Sequence, residues 1–320
     1  MKKWKKITKT ICITGAAGNL GLLTARHLLD TTDCKLRLMV HTKPLPEDVA
    51  RNKRVEVFAC DLAKPETLSE CLRGSDVVLH YAGVLFKANP EKFLPITNTV
   101  YFQNLLNVAK AANVPQMALV SFPHVEGQTS PENPSTDRLD KTPVSVHAQT
   151  RLEEERLLYE HYPQGIILRV GMVYGAGILM PDAARWFARH RLLGIWKAPN
   201  IIHLISKTDF AEAVKQALLK EGITGTYNIG DDGIQTLQDY LTFACSVWKT
   251  HPPWRMPDWL IYAAARCFEL SSKLFGTRSY LTKDFIDIGK VAYYGDTRRM
   301  KQDLLPNLKY PTMREGAKIF

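Results

Sequence analysis

Short apolar runs alternate with longer amphipathic stretches through the first half of the chain. The runs Ile11–Ile13, Lys35–Val40, Val55–Ala59, Asp76–Leu79, Met117–Val120 and Ile166–Arg169 predict six strands. Helical periodicity covers Leu20–Leu29, Pro65–Leu72, Phe93–Ala112 and Val144–Tyr162 between them. In the first of these, Leu20, Leu23, His27 and Leu28 fall on one face. Strands alternating with helices predict an α/β fold with a doubly wound parallel sheet. Right-handed crossovers then put any nucleotide at the C-terminal strand ends, beside strand one.

From Gly171 the alternation loosens. A helical pattern at Asp182–Leu193 precedes a short apolar run, Ile201–Ile205. Asp209–Leu219 predicts a helix and Thr226–Ile229 a strand, followed by a proline-rich break at His251–Pro257. This divides the chain into a nucleotide-binding domain, 1–170, and a smaller substrate-side domain, 171–320. Segment 201–220 is expected to return to the first domain.

The richest stretch is Thr10–Leu29, where the first strand runs into Thr14-Gly15-Ala16-Ala17-Gly18-Asn19-Leu20-Gly21 and then a helix. Strand, glycine turn and helix in that order build a dinucleotide phosphate site. Gly15 permits the tight turn, Gly18 lets the backbone approach a pyrophosphate, and Gly21 lets the helix lie close to the strand. Ala17, Asn19 and Leu20 are the remaining cofactor-facing positions of this loop. The second strand ends at His41, followed by Thr42 and Lys43, where an acidic residue would favour NAD. His41 and Lys43 therefore tilt the expectation from NAD towards NADP.

Composition narrows the class without changing it. With 320 residues, 45% hydrophobic and 23% charged, the chain can bury a large core. No apolar run reaches the roughly 18 residues of a membrane span. The 42 Lys and Arg against 32 Asp and Glu give +10, but the cations are scattered apart from the basic start, so no nucleic-acid partner is expected. Six cysteines without a CxxC pair suggest no zinc site, no metal and no disulfide framework, hence a reducing, cytoplasmic setting. The Trp259–Phe275 pattern carries Arg266 and Lys273. It admits peripheral membrane contact, but a cap helix packed on the substrate-side domain is preferred.

Further segments fall in an order that resembles the extended short-chain dehydrogenase/reductases, nearest the 3β-hydroxysteroid dehydrogenase and dihydroflavonol reductase branch. They are Cys60-Asp61-Leu62, Asp76-Val77-Val78-Leu79-His80-Tyr81-Ala82-Gly83, Asn98 and Ile167-Leu168-Arg169-Val170-Gly171-Met172-Val173-Tyr174-Gly175; the likeness to that branch is carried by the tail, Met256-Pro257-Asp258-Trp259-Leu260, Leu281-Thr282 and Asp296-Thr297. The resemblance implies a Rossmann-type sheet with a smaller C-terminal substrate domain. It also implies adenine contacts from Asp61 and Leu62, and cofactor contacts from Tyr81, Ala82, Gly83 and Asn98. A small-molecule ligand is expected; a homodimer is left open.

The same resemblance exposes a departure. The family uses a Tyr for proton exchange, a Lys four residues on, and a Ser or Thr after the fifth strand. The matching positions hold His147, Arg151 and Phe122; a one-residue slip would place Ser121 there instead. Arg151 is the nicotinamide-ribose candidate. Two readings follow. In one, an oxidoreductase or epimerase acts on an alcohol or ketone carbon of a sterol-, flavonol- or nucleotide-sugar-like substrate. His147 is then the acid/base, held neutral by Arg151. In the other, a non-catalytic NAD(P)-binding sensor, scaffold or assembly factor keeps only the binding site.

Overall fold

The computed structural model describes residues 8–84, 87, 89–275, 279 and 281–320. The basic cluster of the first six residues lies outside them. Seven parallel strands form the central sheet: β1 (Thr10–Thr14), β2 (Lys35–Val40), β3 (Val55–Ala59), β4 (Val77–His80), β5 (Gln116–Ser121), β6 (Ile166–Val170) and β7 (Gly225–Ile229). Their order is β7-β6-β5-β4-β1-β2-β3. The chain reverses direction of travel at β1, so the crevice above β1 and β4 is the switch point where a ligand binds. The inner strands are apolar on both sides because helices cover both faces: β4 and β6 are buried throughout. β3 keeps Glu56, Val57 and Ala59 exposed, as an edge strand can.

Seven longer helices flank the sheet or build the substrate side: α1 (Asn19–Thr31), α2 (Tyr101–Ala111), α3 (Val146–His161), α4 (Leu179–Arg189), α5 (Lys207–Leu219), α6 (Leu237–Trp248) and α7 (Asp258–Phe275). One apolar cluster under α1 and α5 joins Ile13, Leu28, Leu79, Phe210 and Val214. A second, under α2 and α3, joins Cys12, Val78, Phe102, Leu106 and Leu158. A third core holds Tyr174, Trp196, Tyr240, Ile261 and Tyr293 on the substrate side.

Five elements differ from their sequence-based expectation. The helix expected over Pro65–Leu72 splits into a 3₁₀ turn, Pro65–Thr67, and a short α turn, Ser69–Leu72. α1 buries Gly21, Thr24, Ala25, Leu28 and Leu29, so its inner face is turned by about one residue. His27 lies at the flank, 2.9 Å from Glu212 of α5. The helix expected over Phe93–Ala112 is broken: a π-helical turn, Pro95–Val100, precedes α2. Pro95 has no N–H to give to a regular first turn. α4 begins at Leu179 instead of Asp182, with Pro181 in its first turn, where the missing N–H costs nothing. Finally, Gly225–Ile229, expected on the substrate side, pairs in parallel with β6 as the seventh strand of the main sheet. α5 delivers it there by burying Phe210, Ala213, Val214 and Ala217 against the α1 side of the sheet.

Candidate functional site

The β1–α1 loop is shaped by backbone contact. Gly15 has φ +65°, and a Cβ there would stand 2.8 Å from the Ala82 nitrogen at the end of β4. A side chain on Gly18 would meet the Gly15 carbonyl at 2.9 Å, and one on Gly21 would meet it at 2.5 Å. Gly21 therefore closes the helix onto the loop itself. α1 starts with no side-chain cap and no acidic residue in its first turn. Its leading N–H groups and positive end are left for an anion. These features fit the pyrophosphate of a dinucleotide. Asn19 has a second role that its position in the motif does not announce. Its side chain donates to the Gly177 carbonyl (2.6 Å) and accepts from the Leu179 N–H (2.9 Å). The phosphate loop is thus tied to the entry of α4.

Three further positions sit at neighbouring strand ends. His41 is exposed after β2, 3.9 Å from the Asp61 carboxylate that follows β3. Lys43 is exposed beside it. Leu62 packs on the second core, and its carbonyl accepts from Asn104 (3.0 Å). Acid and potential cation share this corner, so a carboxylate does stand near His41, although on the adjacent strand.

After β4, Thr14 Oγ1 lies 3.3 Å from the N–H groups of both Tyr81 and Ala82 and 2.8 Å from His80 Nδ1. The Tyr81 phenol turns away from the crevice to Thr24 of α1, at 2.6 Å. Among the predicted cofactor contacts, Tyr81 can therefore offer backbone but not its ring. Burial is the main cause, and the Arg151 charge the second, that hold His80 down to about 3. Gly83 leaves room above the strand end, where a Cβ would lie 3.2 Å from an Arg151 guanidinium nitrogen.

α3 brings the substituted acid/base positions to the same place. Ser145 caps it by accepting from the Ala148 N–H (3.2 Å). His147 follows in the first turn. Its Nδ1 hydrogen-bonds Asp284, and both side chains are only 13% exposed. Arg151 does not face His147; its guanidinium pairs with Glu154 at 2.6 Å and abuts Gly83. The expected electrostatic hold of Arg151 on His147 is replaced by a carboxylate contact. Burial lifts the Glu154 carboxyl to about 7, against the opposing pull of Arg151. Ser121 is withdrawn from any substrate: it is buried and donates to Glu155 at 2.5 Å. The half-buried Phe122 ring follows it, 5.2 Å from His124, which lies 4.2 Å from Tyr293. Asn98, in the π turn, donates to Thr150 of α3 (3.1 Å). Its carbonyl oxygen is buried without a partner. π turns of this kind recur at functional sites.

The residue most clearly missed from sequence is Asp284, which is 137 positions from His147. It lies beyond α7; of the residues between the two, 276–278 and 280 are outside those described. Among the described residues no group of His, Cys, Asp and Glu is arranged to hold a metal.

A family described as NAD(P)H-binding matches residues 15–173. No curated protein matches the sequence. Solved structures do. MoeE5 in complex with UDP-glucuronic acid and NAD is 17% identical over 97% of each chain, with TM-score 0.74. UDP-glucuronic acid 4-epimerase from Bacillus cereus, with UDP-glucuronic acid and NAD, is 18% identical over 97% of each, TM-score 0.73. dTDP-glucose 4,6-dehydratase from Bacillus anthracis, with NAD, is 16% identical over 97% of this chain and 94% of its own, TM-score 0.74. At these identities the likeness establishes a shared fold.

Proposed function

We propose that this chain, whose residues 15–173 match the NAD(P)H-binding family, is an oxidoreductase or epimerase of the extended short-chain dehydrogenase/reductase type, acting on a secondary alcohol or ketone carbon. The observation that carries this is the His147–Asp284 pair. A carboxylate on Nδ1 fixes the imidazole's orientation and tautomer and leaves Nε2 to exchange a proton. The bound dinucleotide supplies a hydride acceptor or donor. His147 takes the proton of the substrate hydroxyl, or returns it to the carbonyl oxygen in the reverse direction. Gly15, Gly18, Gly21 and the α1 N-terminus hold the pyrophosphate, with Ala82 and Gly83 leaving space at the β4 end. Arg151, anchored by Glu154, is placed to meet a ribose hydroxyl. Nucleotide sugars head the substrate list, because MoeE5 and the Bacillus cereus epimerase carry UDP-sugars in this fold. Sterols and flavonols follow.

NADP(H) is the proposed cofactor, on the strength of exposed His41 and Lys43. Asp61, 3.9 Å from His41, limits that preference. Five cysteines are buried and all six are free, which suits a reducing cytoplasm. A second reading, a non-catalytic cofactor-binding protein, is favoured by one observation: the Ser121 hydroxyl is bound to Glu155, and the residue after it is Phe122, which has no hydroxyl.

The test is absorbance at 340 nm with both cofactors over a panel of nucleotide sugars, sterols and flavonols. For epimerisation, product analysis replaces the absorbance. Turnover that His147→Ala lowers by about 10²–10⁴ supports the first reading. Cofactor binding with no turnover on any of them, and no effect of His147→Ala, supports the second. A tighter dissociation constant for NAD than for NADP overturns the cofactor assignment.

A further inference from the structure

We propose that the outer face of α7, with the neighbouring end of α4, docks in the plane of an anionic lipid bilayer; this stands independently of the catalytic reading. α7 buries only Ile261 and Ala265 among its side chains. Those two join the substrate-side core, so α7 packs there by one face and leaves its other face open. Trp259, Leu270 and Leu274 are 69%, 59% and 72% exposed and share the outer side of the helix, within roughly 60° of one another at 100° per residue. Trp186 at the end of α4 and Trp254 before α7 are also exposed. Trp254 is bound to the end of the α4 segment through its N–H to the Leu193 carbonyl and its indole N–H to the Arg191 carbonyl, both 2.9 Å. Phe187 of α4 meets Phe268 of α7 edge-on at 6.3 Å, on the side of α7 turned away from that stripe, so α4 supports the helix from behind.

Charge selects the occupant. There is no Asp or Glu between Asp182 and Asp209, but there are exposed Arg189, Arg191 and Lys197. There is none between Asp239 and Asp258, but there is exposed Arg255. On α7, Arg266 and Lys273 are exposed and border the apolar stripe. The helix's two acids are engaged elsewhere: Asp258 pairs with Lys290, and Glu269 accepts from the Lys283 N–H at 2.9 Å. Exposed tryptophans inside a cationic rim suit the headgroup boundary of an anionic membrane. A water-facing surface or a second copy of this basic face has no use for that arrangement. Among the described residues no helix is long and apolar enough to cross a membrane, so the contact would be in the plane.

The experiment is sedimentation of the full chain with vesicles of two parts phosphatidylcholine to one part phosphatidylglycerol at physiological salt, beside phosphatidylcholine alone. Binding to the anionic vesicles with a blue shift of tryptophan emission is expected. Trp259→Gln with Leu270→Gln and Leu274→Gln should abolish it. Arg266→Gln with Lys273→Gln should weaken it roughly 25-fold, about fivefold per cation. This pair alters only exposed side chains and keeps the test decisive if the triple variant does not fold. No binding to anionic vesicles overturns the proposal. So does binding unchanged in the variants, or a dimer in sedimentation velocity that the triple variant dissolves.

Discussion

At the scale of single residues, the crevice is set by atoms that are missing as much as by those present. Gly18 has no Cβ, and one built there would press on the Gly15 carbonyl at 2.9 Å. Gly18→Asp adds that crowding and also points a carboxylate at the uncapped α1 N-terminus, where the pyrophosphate belongs. Cofactor affinity should fall at least 100-fold by calorimetry, with the fold intact by circular dichroism; an unchanged affinity would remove the phosphate site from this loop. Asp284 is a different kind of residue, one that acts through His147. Asp284→Asn keeps the shape but lets the amide present either face to Nδ1, so the imidazole loses its fixed tautomer. The expected result is a drop in kcat of about 10²-fold or more, with KM and cofactor affinity nearly unchanged. A change in KM alone would make Asp284 a binding residue. Gly18 is legible in the sequence because its spacing is local. Asp284 is not, because only the packing of the short Lys283–Gly289 helix against α3 gives it a partner.

At the scale of elements, α3 works as a distribution bar for side chains. His147 reaches the substrate side, Thr150 holds Asn98 of the π turn, Arg151 and Glu154 lie along β4, and Glu155 turns inward. Glu155 joins Glu126 and Arg169 in a fully buried triad. Arg169 also donates to the Arg138 carbonyl at 2.9 Å, and Glu126 accepts from the Thr136 and Arg138 N–H groups. The triad therefore fastens the 126–138 loop to β6. Arg169→Met leaves the buried Glu155 carboxylate without a cation, while Glu126 keeps Arg138 at 3.0 Å, and should cost about 3–5 kcal/mol in urea denaturation. Adding Glu155→Gln should recover part of that loss, and additive losses would deny the coupling. The strand and helix sequence was readable because burial on both faces leaves continuous apolar runs in the strands and a 3.6-residue period in the helices. What escaped were places where tertiary contact overrides periodicity: the π turn at Pro95, the turned face of α1, and β7. The latter is a short apolar run whose sheet membership depends on where α5 delivers it.

At the scale of the whole molecule, two sets of buried groups pull stability in opposite directions with pH. Burial, as the leading cause, holds His80, His124 and His203 neutral, at about 3, 3 and 4. The unfolded chain protonates each near 6.5, so as pH falls below that value it takes up protons the fold refuses, and stability falls. Asp231 and Glu154 behave in reverse. Burial lifts them to about 8 and 7, so near neutrality the fold retains protons that the unfolded chain has already released. Their stabilisation is complete below the ordinary carboxylate range and is lost as pH rises through 7 and 8. The proton counts of the two states match at about pH 6, where the stability curve should peak. Urea midpoints measured from pH 5 to 8.5 should rise and then decline around that value. Asp231→Asn tests the alkaline limb separately. Asp231 accepts from the Gly233 N–H at 3.0 Å through one oxygen, and the other is buried without a partner, so an amide oxygen can keep the bond. The variant should flatten the decline between pH 6 and 8 while leaving the acid limb in place. Stability that climbs steadily from pH 5 to 8 would mean that Asp231 and Glu154 are ionised in the fold. The charge of Arg151 would then be balanced by a full carboxylate on Glu154.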